Sequence, residues 1–400
     1  MIIIYKNLLG VRNMKTLYEY LLEDKGDFFK LSEEDKVKLL NLDKEYGDLV
    51  LMYRQDLNTK DIKNLDEECT KFLDLRDRGI KYFPKIQLVT DNGFLTDGIL
   101  PRLKNLLVQF RNFNCYLSKY YIELLDDMIR SVEFYCDVEH KHYWYTSYRK
   151  QTPSLENLDA AYKMLKQHPY EDIDDSDRTI SGTEAAKMIQ KYIDEKGYKW
   201  EVKLNDKMIP RMNVDIDKTM NVNPNAKFSK TDIEGLKAHE VDGHIGRRYY
   251  GYKTGLHLFI MGLRWRNTLD EGLAIYNSLH KCSEVKPNVQ FNISLKTIIA
   301  YYLDKKDFCE LFDMCKELAP NMPDESLFAT IIRYKRELQD CSIIGGNGDD
   351  MSYFCGYQIV KDMNDKERDD VLKYNIGPDQ LPELPSIKKF LKLNKFPSLI

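Results

Sequence analysis

Two histidines stand five residues apart in Ala238-His239-Glu240-Val241-Asp242-Gly243-His244, inside a segment whose flanks read as helix. At about 100° per residue, an ideal α-helix would splay them by roughly 140°. They can serve one site only if the helix carries a π-type bulge or breaks near Gly243. Such bulges occur often at functional sites, and glycine tolerates the dihedrals that a break requires. Glu271 follows in Thr268-Leu269-Asp270-Glu271-Gly272-Leu273-Ala274, at the head of what reads as the next helix.

Two imidazoles and a carboxylate are the parts of a hydrolytic zinc site. Zinc takes neutral imidazole nitrogen and carboxylate oxygen, and a catalytic site leaves its fourth position to water. His239, His244 and Glu271 are therefore candidate ligands, and Glu240 the candidate general base. The common H-E-x-x-H pattern sets its histidines four apart on one helical face, so the spacing here is a departure. A plainer reading stands beside this one. Histidine pairs of this kind arise in ordinary helices, and Thr268-x-x-Glu271 is also a capping box, with Glu271 reaching back to the helix start. The two motifs together favour the site.

With both motifs read, the chain resembles the microtubule-associated tyrosine carboxypeptidases and their bacterial relatives, which are named for a Gln-Glu-Gly-Leu-Ala motif. The resemblance covers about residues 178–400. Trp200-x-Val202 and Arg211-Met212-x-Val214 carry it before the site. Arg333-x-x-Arg336, Asp350-x-x-Tyr353-x-x-Gly356 and a Pro-rich end carry it after. It implies Zn2+ on His239, His244 and Glu271 with Glu240 catalytic, and a metallocarboxypeptidase that removes a tyrosine-type residue from a protein or peptide C-terminus. Tubulin is the eukaryotic substrate that it suggests. Asp270 stands where the bacterial motif has Gln, and Asp242 where relatives carry a small residue.

Such an exopeptidase also needs a cation for the terminal carboxylate. Arg247 and Arg248 share the face of His244 if the helix resumes after it, and a guanidinium meets a carboxylate in a bidentate fork. Arg333 and Arg336 are further candidates, with Arg264 and Arg266 near the motifs; a solvated face is the alternative for each. Tyr353 is the candidate donor to the oxyanion. His257, among Leu256, Leu258 and Phe259, reads as a satisfied core histidine, and His140 and His142 as part of a polar loop. A zinc aminopeptidase or endopeptidase, or a filament-binding protein that keeps the fold, stays open as a different class.

The expected fold is α+β and mostly helical, a zincin-like catalytic domain over 171–400 preceded by a helical region over 1–170 that packs on it. Stripes such as Leu103, Leu106, Leu107 and Phe110 recur at helical steps in the first part. Residues 1–30 read as a polar lead-in, with Met14 a second candidate start. Three strand-like runs, 199–204, 208–215 and 219–223, predict a small antiparallel sheet just before the metal-binding helix. One edge of that sheet could hold a substrate backbone by strand addition. The Pro-rich end, 378–385, reads as extended.

A net charge of −4, from 60 basic and 64 acidic residues, offers no general attraction to nucleic acid or anionic membrane. The eight cysteines form no C-x-x-C pair, which points to reduced thiols in a cytoplasmic protein. Neither a signal peptide nor a membrane span is legible.

Overall fold

The computed structural model describes residues 29–57, 62–88, 98–136, 152–172, 175–206, 208, 211–215, 217–263, 266–282, 284–285 and 287–400. The lead-in with Met14, the loop of His140 and His142, Arg264 and the side chain of Arg266 lie outside the described residues.

Three helices of the first part pack together: Glu33–Leu57, Leu100–Arg111 and Ser118–Cys136. Ser32 caps the first, its Oγ accepting from the Asp35 amide at 3.0 Å, with Glu33, Glu34 and Asp35 in the first turn. Acids there complement the positive end of the helix dipole. The apolar stripes of all three meet in one core; Phe110 and Tyr121 stack at 4.1 Å between ring centroids. That core also takes Leu256–Leu263 and, from the far end of the sequence, Ile376, Ile387 and Phe390. In proteins most helical stability comes from the packing of an amphipathic face. Each fully buried Leu or Phe contributes about 1.5–3 kcal/mol, so packing and not propensity holds them.

Asp43 ties the first helix into this core. Its carboxylate is 1% exposed and accepts from Tyr121 Oη (2.6 Å) and from the backbone amides of His257 (2.7 Å) and Leu258 (3.0 Å). It also lies 2.9 Å from His257 Nδ1. The carboxylate thereby closes the orphan amides at the start of the short helix His257–Met261. His257 is a satisfied packing histidine.

A second core gathers the helices Leu65–Asp77 and Leu155–Gln167 against Val289–Tyr302, Phe308–Leu318 and Asp324–Lys335. A third packs the helix Gly182–Glu195 over the strands and onto Ile233, Val241 and Ile245.

The strands are β1 (Ile180–Ser181), β2 (Glu201–Leu204), β3 (Met212–Val214), β4 (Thr219–Val222) and β5 (Lys227–Phe228). β1 and β5 form an antiparallel pair, and the other three form a sheet in the order β2-β4-β3. The larger sheet is mixed, not wholly antiparallel. β3 and β4 form a hairpin that turns through Lys218 at φ +66°, whereas β2 runs parallel to β4. Asn205 N donates to Val222 O (3.0 Å) and Asn223 N to Arg211 O (3.0 Å), so the end of β4 bonds both to the residue after β2 and to the residue before β3, and β4 lies between the two strands.

The Pro-rich end is not extended. Residues Pro378–Glu383 form a 3-10 turn that leads into the helix Leu384–Asn394. Pro385 sits in that helix's first turn, where the missing amide hydrogen costs nothing. Among the described residues no helix is long and apolar enough to cross a membrane. Seven of the eight cysteines are described, all as free thiols.

Candidate metal centre

The helix that carries both histidines begins at a capping box between Ser229 and Asp232. Asp232, 3% exposed, also takes both terminal nitrogens of Arg211 at 3.0 Å and Arg178 Nε at 3.3 Å. The start of the helix is thus fixed by a bidentate ion pair. Seven α-helical residues follow, Lys230–Leu236, and then Lys237–Ile245 form a π-helix. Its i→i+5 hydrogen bonding makes residues five apart into neighbours. The His239 and His244 rings consequently meet edge to face, 5.1 Å between centroids.

Two close approaches seat this segment. A Cβ on Gly243 would stand 3.0 Å from Ala274 Cβ, so the π-helix lies directly against the helix Arg266–His280. Gly272 and Gly356 bring that helix backbone to backbone with Met351–Asp362, which sets Tyr353 beside Glu271. Asp242 is turned the other way. It accepts from Tyr192 Oη at 2.9 Å and pairs with Lys196 at 2.7 Å, which ties the π-helix to Gly182–Glu195.

His239 Nε2 and His244 Nε2 lie 3.7 and 3.6 Å from Glu271 Oε2. One ligand atom from each of the three residues falls within 4.8 Å of the others. Tetrahedral zinc with bonds of about 2.0–2.1 Å sets its ligand atoms roughly 3.3 Å apart, so the two histidine–Glu271 distances exceed coordination spacing by only a few tenths of an ångström. Glu271 Oε2 is buried and has no hydrogen-bond partner. A buried carboxylate oxygen without a donor is costly, and a cation among these N, N and O donors relieves that cost. The residues fit a metal ion. The capping-box reading of Glu271 does not hold, because the helix begins at Arg266 and Glu271 lies beyond its first turn.

Burial and mutual charge perturb the titrating groups here. Burial pushes the Glu271 carboxyl up to about 7, and the charges of Asp270 and Glu240 add to that against the pull of His244. Burial opposes protonation of His244, but Asp270 and Glu271 outweigh it and raise the imidazole to about 9. Burial also raises Glu240, with the charges of His244 and Arg248 working in the other direction. Tyr353 is pushed well up by the charge of Glu271 and by burial.

The four arginines divide. Arg247 has no exposed surface, lies 3.6 Å from Asp270 through Nε and donates Nη2 to the Ile376 carbonyl at 3.1 Å. Arg248 donates to the carbonyls of Val214 and Asp215 at 3.0 and 3.3 Å. Both are buried and spend donors on backbone carbonyls, whereas the substrate-binding role expected of Arg247 and Arg248 calls for a guanidinium open to a ligand. The share of the helix face is real, but it is the face that packs inward. Arg333 and Arg336 instead line a cavity of about 240 Å3 together with Glu271, Tyr353, Asp350 and Asn347. Asp350 fixes Arg333 through Nε at 2.5 Å and Nη2 at 2.9 Å. A larger cavity, about 790 Å3 beside Arg178, Arg211 and Lys227, contains none of the donor residues.

Three neighbours of the site escaped the motif reading. Lys296 lies 3.4 Å from Asp350 and 4.4 Å over the Tyr353 ring, and burial lowers its ammonium pKa despite the Asp350 charge. No local pattern around Lys296 announces this. Ser278, whose Oγ is 3.5 Å from His239 Nδ1, falls seven residues after Glu271 on the same helical face, a spacing that was available in the sequence. Asp270 approaches His244 Nδ1 at 3.1 Å.

Comparison with known proteins adds two findings. The family model described as "Microtubule-associated tyrosine carboxypeptidase" matches residues 113–371. No curated protein matches the chain.

Proposed function

Because the chain belongs to the microtubule-associated tyrosine carboxypeptidase family, we propose that it is a zinc-dependent carboxypeptidase. It would remove an aromatic, tyrosine-type residue from the C-terminus of a cytoplasmic, tubulin-like protein. The observation that carries this reading is one continuous geometry. His239, His244 and Glu271 converge within 4.8 Å, and one cavity is lined by Glu271 together with Arg333 and Arg336.

His239, His244 and Glu271 would hold the ion, two imidazole nitrogens and one carboxylate oxygen. Bound there, zinc supplies Lewis acidity that lowers the pKa of water to about 7 and polarises a carbonyl. Glu240 accepts the proton of the attacking water and returns it to the leaving amine. Tyr353 Oη, beside Glu271, donates to the oxygen on which negative charge develops. Arg333 and Arg336 receive the terminal carboxylate, and Asp350 keeps Arg333 in a fixed pose for it. β3 packs beside the π-helix and, as an edge strand, can pair with the backbone of an extended substrate.

The test is cleavage of synthetic peptides that end in different residues, each as free acid and as C-terminal amide, read by mass. Release of a single terminal residue, fastest for Tyr and Phe, is expected. Amidation removes the charge that Arg333 and Arg336 would meet, so the amide is expected to be cleaved more slowly than the free acid. Cuts within the peptide, or equal rates on acid and amide, would make the protein an endopeptidase and refute the carboxylate role of Arg333 and Arg336.

A further inference from the structure

We propose that Asp270 is a positioning residue for His244, held in turn by Arg247, and that this pair sets how tightly the cluster binds its metal. The inference rests on the metal reading above and concerns a residue which that reading leaves without a role. Both nitrogens of the His244 ring face a carboxylate. Nε2 is 3.6 Å from Glu271 Oε2, and Nδ1 is 3.1 Å from Asp270 Oδ1, though out of line for a full hydrogen bond. The two carboxylates are consecutive residues on one helix, so a single turn of backbone grips the ring from either side. A carboxylate on the far nitrogen of a ligating imidazole fixes its tautomer and orientation and raises its basicity.

At His239 the Ser278 hydroxyl, a neutral group, stands 3.5 Å from Nδ1 and gives its hydrogen to the Ala274 carbonyl at 3.0 Å.

Arg247 explains why the support is an acid. It follows His244 by one helical turn, is completely buried, and leaves Nε and Nη1 without hydrogen-bond acceptors. The carboxylate of Asp270, 3.6 Å away, balances its charge. A buried guanidinium deprived of that partner is strongly unfavourable. Asp270 therefore joins two elements, with Arg247 and His244 of the metal helix on one side and Glu271 of the next helix on the other.

The test is metal affinity. Metal-free protein is titrated with Zn2+ against a competing chelator, and with Co2+ followed by its visible bands, for the parent, Asp270→Asn, Asp270→Gln and Ser278→Ala. Loss of an outer carboxylate costs about 10–100-fold in metal affinity. Both Asp270 variants are expected to weaken Zn2+ by that factor and to shift the Co2+ bands. Ser278→Ala is expected to change either by less than about threefold. Circular dichroism of the metal-free variants separates lost folding from lost binding. If Asp270→Asn does not fold, Asp270→Gln and Arg247→Met carry the comparison. Folded variants with parental affinity and parental Co2+ bands overturn the inference. A parent that binds neither ion overturns the metal reading itself, a different result from parental affinity in the variants.

Discussion

Replacing Gly356 by alanine should loosen the site more than any exposed substitution in the same helix. A Cβ at Gly356 would overlap the Thr268 carbonyl oxygen outright and stand 2.8 Å from the Thr268 carbonyl carbon and 2.9 Å from Gly272 Cα, where ordinary contact is 3.4–4 Å. All three neighbours are backbone of one helix, so no side chain can swing aside. The two helices must part by about 1.5–2 Å to restore normal separation. Alanine in a helix interior gains about 1 kcal/mol over glycine. Overpacking costs about 1–3 kcal/mol and here falls at the upper end because backbone meets backbone. The net is a loss of about 1–2 kcal/mol. Gly235 provides the control, since a Cβ there meets nothing within 4 Å; Gly235→Ala should stabilise by up to about 1 kcal/mol. Turnover should separate the two further. Tyr353 lies one turn before Gly356 and Glu271 adjoins Gly272, and a displacement of about 1 Å at a reacting centre can cost about 100-fold in rate. Urea midpoints and peptide turnover, measured side by side, check both parts. If Gly356→Ala proved as stable and as active as Gly235→Ala, the helices would not touch as described and the reasoning fails.

Other outcomes follow from the same geometry. His239→Ala and His244→Ala should each lose bound metal and activity, whereas Glu240→Gln should keep its metal, measured by atomic absorption, and lose turnover; an empty site in Glu240→Gln would move Glu240 into the ligand set. Lys335 should impose a pH dependence on stability. Burial lowers its ammonium pKa to about 8, against about 10.5 in the unfolded chain. Below pH 8 both states hold the proton and the cost of burying the charge is complete; between about pH 8 and 10.5 the unfolded chain binds more protons, so stability rises with pH. Lys335→Met should therefore be more stable than the parent at pH 7, by on the order of 3 kcal/mol at most. The difference should shrink toward pH 10.5 in urea titrations; one that did not change with pH would show the ammonium to be solvated.

How much of this was legible in the sequence depended on whether the signal was local. The five-residue histidine spacing carried its own structural demand, and the π-helix over Lys237–Ile245 meets it. Amphipathic stripes and capping residues such as Ser32 and Ser229 marked their elements because each acts within a turn or two. The mixed sheet was not legible. Its β2–β4 pairing sets strands that are not consecutive side by side, and strand-like composition is silent about partner and direction. The arginines show the same limit. Helical spacing puts Arg247 on the face of His244, but whether that face meets solvent or Asp270 is decided by another helix. Glycine in Glu-Gly-Leu-Ala reads as helix-weakening when taken alone; only the opposite glycine, 84 residues later at Gly356, gives it a purpose.

Asp43 bears on where this protein can be cut. The stretch shared with the family begins at residue 113, yet the carboxylate that closes the amides of His257 and Leu258 comes from the helix Glu33–Leu57. Ile376, Ile387 and Phe390, in the same core, lie beyond the other end of that stretch. A fragment trimmed to the shared stretch would retain every candidate metal ligand while exposing the apolar surface behind them. The stretch that matches the family and the packed core have different borders, and a fragment meant to fold has to be drawn around the second.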